Sequence, residues 1–263
     1  DHDRYRHART SKLKPQTRGK RRYTTTRDLT RVDIFSDIAC PWCYIGKRRF
    51  EAAFAQLAFR DLVEVRWHSY QLDPALPARF EGTEKDYLMK SKGMTDREVT
   101  EMLTMVTEEA AGVRLEYDFE SLKVANSFHS HRLIHAAATA GKADEMKESL
   151  LAGHFCEGLD IGDDDDLQTM ADRAGLPPEL TAEVLGDKSA FAADVRDDIR
   201  TAADLKLSGV PFFILGQKYG VAGAQPTDVL VSALARVWEE QTDSALTMLD
   251  DETGASCGPD GCD

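Results

Sequence analysis

No apolar run in this 263-residue chain approaches the roughly 18 residues that a membrane-spanning helix needs, so the reading is a protein with no membrane partner. Cysteine is scarce. Its five residues are too few and too clustered for a disulfide scaffold, and two pairs plus one single fit a reduced compartment with redox-active thiols. Residues 1–30 hold no apolar stretch of the kind a secretory signal requires, which makes cytoplasmic the expected location. No Gly-rich phosphate loop, nucleotide fingerprint or catalytic triad stands out. Positive charge is short overall. The net charge is −13, and eleven Lys/Arg against three Asp sit in residues 1–31, leaving a strongly acidic remainder. That balance argues against nucleic acid as a partner.

Residues 1–30 are basic, Thr-rich and poor in large apolar groups, so they read as a disordered leader. Organised sequence begins after them. Val32 and Ile34 alternate with Asp33 as in a short strand over 31–37. Cys40-Pro41-Trp42-Cys43 follows. Gly46, Phe50, Ala53, Phe54 and Leu57 then recur at helical spacing over about 41–59. The cysteine pair thus falls on a strand-to-helix turn, with Cys40 at the helix N-terminus and Pro41 where a missing N–H costs little. Free N–H groups and the helix dipole favour a thiolate there. Cys40 reads as the nucleophile and Cys43, one turn in, as the resolving thiol. Half of a zinc site is the alternative for such a pair, but zinc prefers knuckle-like turns, so no metal is expected. Lys47-Arg48-Arg49 reads as a solvated face.

Val63, Val65 and Trp67 mark a second strand over 63–72, which the intervening helix makes parallel to the first. From Pro74 to about Lys206 the pattern is helical. Thr95-Asp96-Arg97-Glu98 is a capping box for a helix closed by Gly112. Further helices are expected over 126–140, 143–157 and 188–207, the last with Phe191, Val195, Ile199 and Ala202 inward. The Asp163–Asp166 run reads as a helix N-terminus, because four adjacent carboxylates cannot converge on one ion. His131, His135 and His154 read as structural, and Cys156 as a buried packing residue. Gly209-Val210-Pro211-Phe212-Phe213 opens a strand, Tyr219–Ala222 pairs back on it, and a final helix buries Val229, Leu230, Ala233, Leu234, Val237 and Trp238. Residues 242–263 form a Gly-rich tail carrying Cys257 and Cys262.

The order β–α–β, helical block, α–β–β–α, with Cys40-Pro41-Trp42-Cys43 after the first strand and Val210-Pro211 before the third, resembles the thioredoxin superfamily. The helical block looks like its DsbA-like branch. The stretches 36–46, 209–213 and Gly223-Ala224-Gln225-Pro226 are similar to the FrnE group of dithiol–disulfide oxidoreductases and isomerases. The resemblance implies an α/β thioredoxin fold over 31–73 and 187–241 with an all-helical insertion over 74–186. It implies a cis Val210–Pro211 bond against the Cys40/Cys43 pair, with Trp42, Val210 and Pro211 meeting the substrate. It also implies thiol–disulfide exchange on protein or small-molecule disulfides and dithiols, with a thiol reductant or oxidant as partner and no cofactor beyond the redox disulfide. Strongly oxidising relatives carry a histidine where this chain has Trp42. The expected potential therefore lies between the roughly −270 mV of thioredoxin and the roughly −120 mV of DsbA.

Two other readings stay open. Kappa-class relatives on this fold are glutathione-dependent isomerases or transferases, which makes glutathione a candidate co-substrate. A chaperone-like binding module is the third. Cys257 and Cys262 are a candidate second redox pair that a flexible tail brings to Cys40.

Overall fold

The computed structural model describes residues 30–243, 257–258 and 261–262. The basic leader expected over 1–30 therefore falls outside the described residues, save Thr30. Four strands, β1 (Thr30–Ser36), β2 (Val63–Ser69), β3 (Phe212–Leu215) and β4 (Tyr219–Ala222), make one sheet in the order β2-β1-β3-β4. β1 and β2 run parallel, with Val32 opposite Val65, as expected from the helix α1 (Pro41–Phe54) between them. β3 pairs antiparallel with both β1 and β4.

One face of the sheet is closed by α1 and the last long helix. Val32, Ile34 and Phe213 from the strands pack with Phe50 and Ala53 of α1 and with Leu230 and Leu234. Burial of each of the larger side chains among them contributes roughly 1.5–3 kcal/mol. The other face is covered too, so Asp33, which alternation alone would place in solvent, is buried.

The helical block lies between β2 and the second half of the sheet, as in the DsbA-like architecture. It comprises α2 (Glu84–Lys92), α3 (Asp96–Gly112), α4 (Phe128–Thr139), α5 (Ala143–Cys156), α6 (Asp164–Ala174) and α7 (Pro178–Gly186). α8 (Ala192–Asp204) leads back to β3, and α9 (Thr227–Asp243) follows the β3–β4 hairpin. The Thr95 capping box opens α3. Asp163 caps α6 by accepting from the Asp165 and Asp166 N–H groups, which uses the acidic run as a helix start.

Several boundaries differ from the sequence reading. α1 stops at Phe54, and β2 stops at Ser69. The helix expected over 188–207 begins only at Ala192, because Phe191 takes a left-handed conformation with φ 56°. α2, opened by a Thr83/Asp86 capping box, has too weak an apolar face to be seen in the sequence. Val229 is exposed rather than buried, whereas Leu230 beside it faces the sheet.

Candidate active site

The Cys40–Cys43 turn is built as the sequence suggests. Cys40 is the N-cap of α1 in an extended conformation (φ −104°, ψ 110°), Pro41 occupies the first turn, and Cys43 N–H donates to Cys40 O at 3.0 Å. Both thiols are free, and both are buried, Cys40 4% exposed and Cys43 1%. Trp42 is partly exposed beside them.

The Val210–Pro211 bond is cis. Cys40 Sγ lies 3.6 Å from Val210 O, a weak S–H donor contact that seats the cis-proline turn against the first cysteine. Gly46 explains how the turn comes so close. A Cβ there would lie 2.8 Å from Pro211 Cγ, so only glycine leaves room for the ring. The Gly223–Pro226 stretch locks the other side. Gly223 N–H donates to Pro211 O at 2.8 Å, and Arg49 holds Ala224 O at 2.6 Å.

Three buried polar side chains surround the pair. Asp37 accepts from Leu72 N–H at 2.7 Å, from Ala39 N–H at 3.2 Å and from His131 Nε2 at 3.2 Å. Burial opposes its ionisation, but these donors outweigh burial and hold the carboxyl below the usual range. Burial likewise pushes His131 down, so a neutral imidazole donates Nε2–H to a carboxylate. Lys147 of α5 comes from the opposite side. It is 1% exposed, its Nζ lies 3.4 Å from Ser36 O, and it stands 5.5 Å from the centroid of the Trp67 ring. Burial brings its ammonium down to about 8, against the pull of Cys43, Asp37 and Cys40.

These charges divide the two sulfurs. Burial raises Cys43, but the Cys40 S–H bond, the Lys147 ammonium and Ser36 more than offset it, so Cys43 is lowered. Cys40 is raised by sharing its proton with Cys43, by burial, and by Asp37. The pair therefore releases its first proton as a unit, with the Lys147 ammonium favouring charge on Cys43 and the Asp37 carboxylate opposing it on Cys40.

Lys47-Arg48-Arg49 is not a solvated face. Lys47 is buried and paired with Glu51, with Asp144 at 3.3 Å and with Glu148 at 3.0 Å. Arg48 pairs with Glu148, and Arg49 with Glu109, so the run ties α1 to α5 and α3. Cys156 packs against the helical core, as expected of a packing residue, but is only half-buried. His135 accompanies Ser69 Oγ and Asp198 at 3.0 and 3.1 Å, away from the thiols. His154 lines a cavity of about 310 Å³ that opens beside Cys40. In the tail, Cys257–Gly258 pairs antiparallel with Gly261–Cys262, setting the two cysteines opposite each other in register; their side chains lie outside the described residues. The sequence missed Lys147, Asp37 and Ser36 as parts of the site.

The model of the DSBA-like thioredoxin domain family matches residues 31–235. The chain belongs to that family. A probable DsbA oxidoreductase from Streptomyces coelicolor is 38% identical, with a TM-score of 0.76 over 89% of this chain and 98% of its own. An uncharacterized protein of Bacillus subtilis, YwbO, is 25% identical over 78% of this chain and 95% of its own. The cytosolic disulfide reductase DsbM of Pseudomonas aeruginosa shares the fold at 19% identity, with a TM-score of 0.55 over 80% of this chain and 99% of its own. Among the described residues, no helix is long and apolar enough to cross a membrane.

Proposed function

We propose that this protein is a thiol–disulfide oxidoreductase or isomerase that acts on protein disulfides through Cys40 and Cys43. The observation that carries the reading is a dithiol at the tip of α1, with Cys40 on a cavity and Cys43 backed by the buried Lys147. In the reduced protein one proton is shared between the sulfurs. Cys40 passes it to Cys43 and attacks one sulfur of the substrate disulfide. A new S–S bond forms to Cys40, and the other substrate sulfur leaves as a thiolate. Cys43 then ionises beside Lys147, attacks Cys40 and displaces the second substrate sulfur, and the proton Cys43 sheds goes to a product thiolate. The enzyme ends as a disulfide, oxidised by two electrons, and the substrate ends as two reduced sulfurs. The reverse sequence oxidises a dithiol. Val210, whose turn abuts Cys40, offers backbone to an extended substrate segment, and Trp42 offers an apolar face.

The stretches around Cys40, Pro211 and Gly223 support placement in the FrnE group. A thiol reductant or oxidant returns the pair to its starting state, and the acidic, cysteine-poor composition supports a cytoplasmic setting. Cys257 and Cys262 make a second dithiol that relays electrons to the first.

Insulin reduction tests the central claim. Cys40→Ser is expected to abolish it, and Cys43→Ser to accumulate an enzyme–insulin mixed disulfide. Full activity in Cys40→Ser would refute the reading. Loss of turnover on removing residues 244–263 is expected from the relay; unchanged turnover with a protein reductant would remove it.

A further inference from the structure

The cavity beside Cys40 lies between the redox turn and helices α2 and α3 of the insertion. Its walls are mostly apolar, Trp42, Leu76, Leu88, Met102, Val106 and Phe155 among them. At about 310 Å³ it fits one ring-sized group and a short linker. The charges that reach it are unbalanced: three carboxylates, Asp37, Asp73 and Glu84, against one ammonium, Lys92. Asp73 is occupied by Tyr87 OH at 2.9 Å and Ala75 N–H at 3.0 Å. Glu84 has no such support, and burial alone pushes its carboxyl up to about 7. Deeper in, His154 is 3% exposed, and its Nδ1 makes no hydrogen bond within the protein. A buried polar atom left this way is costly unless an occupant satisfies it.

We propose that this cavity receives an apolar, uncharged or cationic arm attached to the substrate sulfur and turns away anionic thiols such as glutathione. The assignment rests on the redox reading only in taking Cys40 as the reacting group. Either carboxylate of glutathione would have to shed water beside carboxylates that a single lysine faces, where like charges oppose entry. An aromatic or aliphatic arm replaces no water shell of its own and gains the apolar walls.

Calorimetric titration of the full-length reduced protein at pH 8 tests this with two thioethers that share a benzyl arm and cannot exchange. S-benzylcysteamine, a cation, is expected to bind at least tenfold more tightly than S-benzylglutathione. No binding of the cation at millimolar concentration, or equal or tighter binding of the glutathione conjugate, would overturn the proposal. Leu88→Trp, which fills the cavity, is expected to weaken S-benzylcysteamine at least tenfold; unchanged affinity would place the probe elsewhere and count against it. Should that variant not fold, Glu84→Lys is expected to narrow the preference at least threefold, and an unmoved ratio would be equally fatal. A protein that shows the preference yet reduces no disulfide keeps its cavity assignment and loses the redox reading. One that reduces disulfides and shows no preference does the reverse.

Discussion

His131, from α4, donates Nε2–H to Asp37 Oδ1 at 3.2 Å, joining the helical insertion to the turn that carries the cysteines. Both side chains are 1% exposed, so neither has water to fall back on. Removing the imidazole leaves the carboxylate with Ser127 and its backbone donors. His131→Leu should cost about 1–3 kcal/mol in urea unfolding, the range for a buried charged group deprived of one partner. Asp37→Asn acts on chemistry as well. The Asp37 charge helps raise Cys40, so its neutralisation should speed iodoacetamide labelling of Cys40 at pH 7. Slower or unchanged labelling would contradict the electrostatic division of the two sulfurs.

Lys147→Met keeps the length of the side chain and deletes the ammonium that faces Cys43. The first thiolate of the pair, followed by absorbance at 240 nm, should then titrate about one pH unit higher, the low end of what a nearby opposite charge supplies. Resolution should slow with it, so that mixed disulfide with insulin becomes detectable. Methionine has close to the length of lysine and keeps the Trp67 ring as an apolar neighbour, so the fold should hold. A thiolate titration that does not move would show that the helix tip alone stabilises the charge.

The fold was legible because its signals are local. Alternation in 31–37, the Cys-x-x-Cys turn, the Thr95 capping box and the Val210-Pro211 turn each speak through neighbouring residues. The site was legible in its sulfurs and in the Val210–Pro211 turn set against them, and not in the charges around them. Lys147 and His131 reach the pair from α5 and α4, more than 85 residues further along the chain than Cys43, and no local pattern tells a lysine that faces a buried thiol from one that faces water. Lys47 shows the same limit, since three carboxylates from two elements turn an apparent surface charge into a buried one. α2 was missed because its apolar face is narrow and buries no residue fully.

Gly46→Ala probes the seat of the cis-proline turn. The added methyl would meet Pro211 Cγ at 2.8 Å, and a proline ring anchored in backbone cannot swing aside. The turn must shift away from α1, at a cost of about 1–3 kcal/mol for overpacking. Because Val210 O lies 3.6 Å from Cys40 Sγ, that shift should also slow insulin reduction more than it slows alkylation of Cys40 by a small reagent. Equal slowing of both would mean that the turn does not help to receive the substrate.

The sheet carries a pH-dependent clamp remote from the thiols. His68 on β2 sits between Asp33 Oδ1 at 2.8 Å and Asp198 Oδ1 at 2.6 Å, joining β1 to α8. Burial disfavours its charge, but the two carboxylates prevail and raise it from 6.5 to about 9. The folded value exceeds the unfolded one, so the stabilisation is complete below pH 6.5 and is lost as pH climbs through 9. Lys147 acts in the opposite sense. Its folded value near 8 lies below the 10.5 of an exposed lysine, so from pH 8 upward it favours the folded state. The two trends overlap, and only the difference between wild type and His68→Gln isolates the clamp. At pH 6 that difference should be on the order of 2 kcal/mol in urea unfolding, given about 1.4 kcal/mol per pKa unit and partial access of water to the ring. It should shrink by most of its size at pH 9.5, where the wild-type imidazole is itself neutral. A gap that stays constant from pH 6 to 9.5 would mean that His68 holds the two carboxylates by hydrogen bonds alone, without its charge.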